Sequence, residues 1–164
     1  MRRSKLEQQA GEAPPAFNPA AYIPALLSTL NNRLSSGASD LYLRHFGVGI
    51  NEWRILTVLK QHPGCTAAFV SERAAIHLTV ISRSLRGLQD KGLVDVDRSA
   101  WQRLLALTPA GHTMHDRIAR LALQREQRLL QGLSLQEVEG LRDVLQRLTA
   151  NLPLVEALAP RDDA

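Results

Sequence analysis

The sequence predicts a mainly α-helical chain with one small β-hairpin, and three observations predict it. Apolar residues recur at helical spacing along most of the 164 residues. Aromatics make up only 4%, which fits Leu/Ala-rich helices better than a β-sandwich. The stretch from Thr66 to Val94 carries two short helical patterns back to back and then turns extended at Leu93-Val94-Asp95-Val96. With 45% hydrophobic residues the chain can bury a real core, so it reads as one domain, or one compact unit with an extended arm.

In chain order, residues 1–17 are polar, with Gly11, Pro14 and Pro15, and read as a disordered or loosely packed tail. The tail starts basic but has no apolar core region, so it is not a signal peptide. Residues 18–47 read as one long helix. Asn18 is the candidate cap and Pro19 the first-turn proline, followed by Ile23, Leu26, Leu27, Leu30 and Leu34 at helical spacing. Gly37 interrupts the pattern, which resumes at Leu41, so a bend or weak point is expected near Ser35-Ser36-Gly37. Phe46-Gly47-Val48-Gly49 ends the helix.

Residues 48–110 form the next unit. Asn51 is a candidate cap for a helix with Trp53, Ile55, Leu56 and Leu59 inward, stopped by His62-Pro63-Gly64. Ala67, Val70 and Ala74 then line one face of a short helix, and Ile81, Leu85 and Leu88 one face of another, across a four-residue gap. Ile76 plugs the angle between them. The second helix turns Thr79, Ser82, Arg83 and Arg86 outward, hydroxyls and guanidiniums that hydrogen-bond to base edges and phosphates. For Arg86 the plainer alternative is an ion pair with Asp90 one turn on; for Thr79 and Ser82 it is capping. Gly87 is unusual in mid-helix, where it costs ~1 kcal/mol against alanine, and points to a close approach or to nothing. Lys91-Gly92 closes the helix, the cation at the negative end of the dipole and the glycine as left-handed cap. Together these features make a helix-turn-helix followed by a β-wing over about Leu93–Leu107.

Thr108-Pro109 starts a long helix, with Ile118, Leu121, Leu129 and Leu130 on its apolar side and Gly132 as its break. Ser134-Leu135-Gln136-Glu137 is a capping box. Val138, Leu141, Val144, Leu145 and Leu148 stripe the last helix, so residues 111–155 are helical and 156–164 a tail. The stripes at Ile23–Leu34 and Val138–Leu154 exceed what a small core can cover. A second copy of the chain is the simplest partner, which makes 18–47 and 111–155 dimerisation helices. A two-fold dimer also sets two recognition helices about one DNA turn apart.

The NEWRILTVL run (Asn51–Leu59), the helix-turn-helix with its DKGLV block (Asp90–Val94) and the LLALTPAG run (Leu104–Gly111) resemble the MarR family of winged helix-turn-helix transcription regulators, over about residues 22–152. The resemblance implies a winged-helix dimer that binds a pseudo-palindromic double-stranded DNA operator. It also implies a wing arginine in the minor groove. Relatives carry an Asp-x-Arg set at the wing tip, where this chain has Ser99-Ala100-Trp101 in a wing about three residues shorter; Arg98 or Arg103 stands in. A small, often aromatic, anionic effector is implied in the cleft between stem and reader. There Arg54 would pair with a carboxylate, and Tyr42, His45 and Trp53 would supply hydrogen bonds and an apolar wall. The alternative places Trp53 in the core and Arg54 on the surface.

Other chemistries are weakly signalled. His112 and His115 lie on one helical face, a spacing that offers two metal ligands, with only Asp116 as a nearby companion. Cys65 is the only cysteine, so no intrachain disulfide forms, and an inert thiol is expected. No phosphate loop, paired-carboxylate motif or nucleophile constellation appears, so neither an enzyme nor a resident cofactor is expected. The net charge of +4 leans towards polyanions. No apolar run reaches the ~18–20 residues of a membrane span, so a cytoplasmic protein is expected. The function that emerges is a ligand-responsive repressor, with a metal- or redox-gated regulator of the same fold as the alternative. A non-specific architectural binder fits less well, because the exposed polar groups sit on a single reading helix.

Overall fold

The computed structural model describes residues 17–97 and 102–158. The chain is mainly helical with one two-stranded antiparallel sheet. It divides between Ile118 and Ala119 into two compact units.

Helix α1 (Ile23–Phe46) begins later than its sequence signals indicate. Asn18 caps a turn instead: its side-chain carbonyl accepts the Ala20 N–H at 3.0 Å, and its main-chain carbonyl accepts that of Ala21. Tyr22 is the residue before the helix, and Pro24 sits in the first turn, where a missing N–H is harmless. The helix runs without interruption through Ser35-Ser36-Gly37 and stops at Gly47, whose φ of 65° is the left-handed conformation a helix end requires. Helix α2 (Ile50–Gln61) starts one residue before Asn51. Gly49 is the cap position, and Glu52 reaches back to accept its N–H at 2.9 Å. A carboxylate three residues into the helix therefore outcompetes the Asn51 amide for the role.

Helices α3 (Ala67–Ala74) and α4 (Leu78–Asp90) form the helix-turn-helix. Thr66 caps α3 through its hydroxyl, which accepts the Phe69 N–H. Only Ala75, Ile76 and His77 separate the two helices, one residue fewer than the sequence spacing suggests. Ala75 closes the turn in the left-handed region (φ 51°), and the Ser71 hydroxyl donates to the Ile76 carbonyl at 2.7 Å. At the far end of α4, Gly92 (φ 67°) lets the Leu93 N–H return to the Leu88 carbonyl and the Gly92 N–H to that of Gln89. These paired bonds cap the helix and aim the chain into the sheet.

Strands β1 (Val94–Asp97) and β2 (Leu104–Leu107) pair with Val94 opposite Leu107 and Asp97 opposite Leu104. The wing is anchored at its base: the Gly64 N–H donates to the Leu105 carbonyl, and the Leu105 N–H to the Cys65 carbonyl, at 2.8 and 2.9 Å. Helix α5 (Pro109–Leu129) starts with Thr108 as cap. The Thr108 hydroxyl donates to the Gly92 carbonyl at 2.7 Å and accepts the Gly111 N–H, and the Thr108 N–H donates to the Leu93 carbonyl. A β-carbon on Gly111 would run into that same Leu93 carbonyl oxygen. The DKGLV and LTPAG blocks are thus two halves of one junction.

The core of the first unit is built by Ile55, Leu56 and Leu59 of α2, Val70 of α3, Ile81 and Leu88 of α4, and Val48, all fully buried. Each contributes ~1.5–3 kcal/mol by leaving water. Ala38 and Tyr42 of α1 and Ile118 of α5 are buried in the core too. In the second unit, α6 (Leu135–Ala150) starts with the capping box, Ser134 and Glu137 each accepting the other's backbone N–H. A short helix, α7 (Leu152–Glu156), follows. Neither α6 nor α7 has a buried residue.

Candidate nucleic-acid interface

The site is assembled on α4. Ile81, Leu85 and Leu88 hold one face of that helix in the core, and the 3.6-residue period then forces Thr79, Ser82, Arg83 and Arg86 outward, where all four are exposed. Thr79 lies at the N-terminal end, its hydroxyl 2.8 Å from the His77 ring nitrogen Nδ1. His77 is the cap residue of α4 and accepts the Thr79 N–H. The Ser82 hydroxyl donates back to the Leu78 carbonyl at 2.9 Å, leaving its oxygen lone pairs outward as acceptors. Among the described residues no ion pair joins Arg86 to Asp90. Arg86 instead shares a groove of about 220 Å³ with Ser82 and Gln89 on the helix side and Val96 and Arg103 on the wing side. Two guanidiniums facing one groove are suited to a phosphate backbone. Arg98 and the Ser99-Ala100-Trp101 tip lie outside the described residues.

The four residues assigned to an effector are not all brought together. Trp53 and Arg54 line a hollow of about 330 Å³ with Thr57, Val58, Arg73 and Ala74. Arg54 donates to the Ser35 hydroxyl at 3.3 Å. Tyr42 is buried at 3% exposure with its ring edge-on to Trp53, so it stands behind the wall rather than in the hollow. His45 is exposed on the last turn of α1. Arg73 is the residue that sequence reading missed. It comes from α3, nineteen positions from Arg54, and no local pattern links the two.

His115 stacks on Trp53 with ring centroids 5.1 Å apart and bonds Asp116 at 2.8 Å. Asp116 also pairs with Lys60 at 3.0 Å. The His115 hydrogen bond, then Lys60, hold the Asp116 carboxyl below its ordinary value. This chain of contacts ties the start of α5 to α2, and Arg117 over the Phe46 ring ties it to α1. No group of three or more potential metal ligands occurs among the described residues. Cys65 is half-buried, and burial pushes its thiol up from its usual value, away from the thiolate a redox sensor needs. No described helix is long and apolar enough to cross a membrane.

The sequence profile of the MarR family matches residues 46–103, a span that runs from the end of α1 into the wing. No curated protein matches the chain. Among solved structures, a MarR/EmrR family transcriptional regulator from Acinetobacter sp. ADP1 is 25% identical, covering 84% of this chain and 99% of its own, with a TM-score of 0.78. A MarR family regulator from Silicibacter pomeroyi is 24% identical, covering 85% and 96%, at 0.74. The MepR–DNA complex of S. aureus is 21% identical, covering 80% and 96%, at 0.68. The resemblance read from the sequence stands: this chain carries the MarR family signature over residues 46–103 and folds as the winged-helix transcription regulators of that family do.

Proposed function

We propose that the chain is a sequence-specific, dimeric DNA-binding regulator, a repressor released by a small anionic effector. The observation that carries the reading is the outward face of α4, with Thr79, Ser82, Arg83 and Arg86 exposed while the opposite face is locked in the core. Arg103 faces Arg86 across the wing groove and is the natural backbone contact on the wing. That S. aureus MepR, a protein of the same fold, has been solved with DNA supports the same use here. Binding between matched half-sites requires two copies, and residues 18–47 and 111–155 are assigned to that role. They carry exposed apolar rows: Ile23, Leu26, Leu27 and Leu30 on α1, and Leu141, Val144, Leu145 and Leu148 on α6.

The effector is placed in the Trp53–Arg54 hollow. An indole wall beside two arginines suits a ring bearing a carboxylate, or an acyl-thioester, better than a neutral lipid or a bare metal ion. An inducer must bind the DNA-free shape better than the DNA-bound one, since equal affinity shifts nothing. A differential of ~3–5 kcal/mol empties most sites.

The test is binding to an operator selected from random duplexes. Arg83→Ala is expected to cost about 1–3 kcal/mol at that operator and relax specificity at one position if it reads a base. Arg103→Ala is expected to weaken all sequences alike and to reduce the salt slope by about one. Operator binding unchanged in both Arg83→Ala and Arg86→Ala refutes the assignment of α4. For the effector, a thermal-shift screen of phenolic and acyl-thioester compounds identifies a ligand. Arg54→Ala should then weaken its effect while leaving effector-free operator affinity nearly intact. Lost DNA binding with unchanged effector affinity would move Arg54 out of the pocket.

A further inference from the structure

Three helix ends meet at one charged contact. Glu52, in the first turn of α2, accepts the Gly49 N–H through Oε2 at 2.9 Å and the Lys91 ammonium through Oε1 at 2.6 Å. Lys91, at the C-terminal cap of α4, also donates to the Gly47 carbonyl at 2.7 Å, where α1 ends. Gly87 clears the space for this contact: a β-carbon there would stand 3.0 Å from Glu52 Oε1. The Glu52 side chain is only 14% exposed. An isolated surface ion pair fixes little. Here both partners are charge-assisted, both hold a second hydrogen bond, and the glycine admits a closer approach than other residues allow.

We propose that the Lys91–Glu52 brace is a positioning contact for DNA binding, one that sets the pitch of α4 against the corner between α1 and α2. It rests on the reading of α4 as the DNA-contacting helix. The brace grips the C-terminal end, whereas the N-terminal end of a recognition helix is the one that meets the bases. The helix has 13 residues and is about 20 Å long, so a tilt of about 5° at the brace carries Thr79 through about 1.5–2 Å. Hydrogen bonds to base edges do not survive such a displacement. Glu52 and Lys91 thus act through Thr79, Ser82 and Arg83 without touching a base. A shift at the α1–α2 corner reaches the reading face by the same route.

The experiment uses the full chain, an operator duplex selected with the wild type, and a scrambled duplex. Glu52→Gln and Lys91→Met are each expected to weaken operator binding on the order of tenfold. Scrambled-duplex binding and the salt slope should stay at wild-type values, and the double variant should bind no worse than the weaker single. Lys91→Arg, which keeps a cation within reach of Glu52, should recover most of the affinity and serves if Lys91→Met does not fold. Wild-type affinity in both singles, or losses that add in the double variant, overturn the proposal. So does a salt slope reduced by about one in Lys91→Met alone, which makes Lys91 a phosphate ligand. If the wild type itself enriches no operator sequence, it is the DNA-binding reading that has failed.

Discussion

Gly111 shows how much one position carries. Its missing side chain leaves room for the Leu93 carbonyl oxygen, which also accepts the Thr108 N–H. Gly111→Ala puts a methyl group against backbone, which has no rotamer to escape into. A loss of about 3 kcal/mol or more is expected, measured by urea denaturation. Gly87 is the milder case, because its neighbour is a side-chain oxygen of Glu52, which can shift where backbone cannot, at the expense of its bonds to Gly49 and Lys91. Cap choice is where single residues were hardest to read. Asn18 and Asn51 have the right chemistry, but Asn18 closes a separate turn and Gly49 takes the cap of α2 because Glu52 can reach back to it. A local signal names candidates, and the competition between them is settled by neighbours.

At the scale of elements, periodicity made the helices legible. Ile81, Leu85 and Leu88 were visible as the buried face of α4 because burial repeats every turn. Contacts between elements carry no such period. Lys91 and Glu52 lie 39 positions apart, and Arg73 reaches the Trp53–Arg54 hollow from another helix. Tyr42 was legible as a neighbour of Trp53 but not as a buried one, since α1 contributes to the core only along its second half. The start of α6 offers a clean element-level test. Ser134→Ala removes the cap and should cost about 1 kcal/mol. The Glu137 carboxyl is held below its ordinary value by the Ser134 backbone N–H and then by its hydroxyl. Its contribution is therefore full above the ordinary glutamate value and is lost as pH falls through the lowered one. The Ser134 amide chemical shift should titrate with that lowered value, and a shift that follows an ordinary glutamate would contradict it.

At the scale of the whole molecule, the exposed apolar rows on α1 and α6 bear on assembly. Leu26, Leu27 and Leu30 stand 40–50% exposed, and Leu141, Val144, Leu145 and Leu148 39–47%. A dimer at micromolar concentration is expected by size-exclusion chromatography with light scattering. Replacing Leu145 and Leu148 with charged residues should give monomers or insoluble chain, and a monomeric wild type would remove the half-site argument as well. The sequence showed these rows as surplus because a small core cannot use them. It did not show how far the core extends, since Ala38, Tyr42 and Ile118 join it from helices whose other apolar side chains are half-buried or exposed.

The backbone pairing of Gly64 and Cys65 with Leu105 has a practical consequence. The chain's only thiol sits on the segment that holds the base of the wing, so it is a built-in chemical reporter at one stoichiometric site. Burial pushes its thiol up from the usual value and so disfavours the thiolate; a soluble disulfide reagent should label it more slowly at neutral pH than an open cysteine, and faster as pH rises. Labelling that quickens on mild denaturant well before the helices melt would time the detachment of the wing from its root. Protection on adding operator would record the wing being clamped in place.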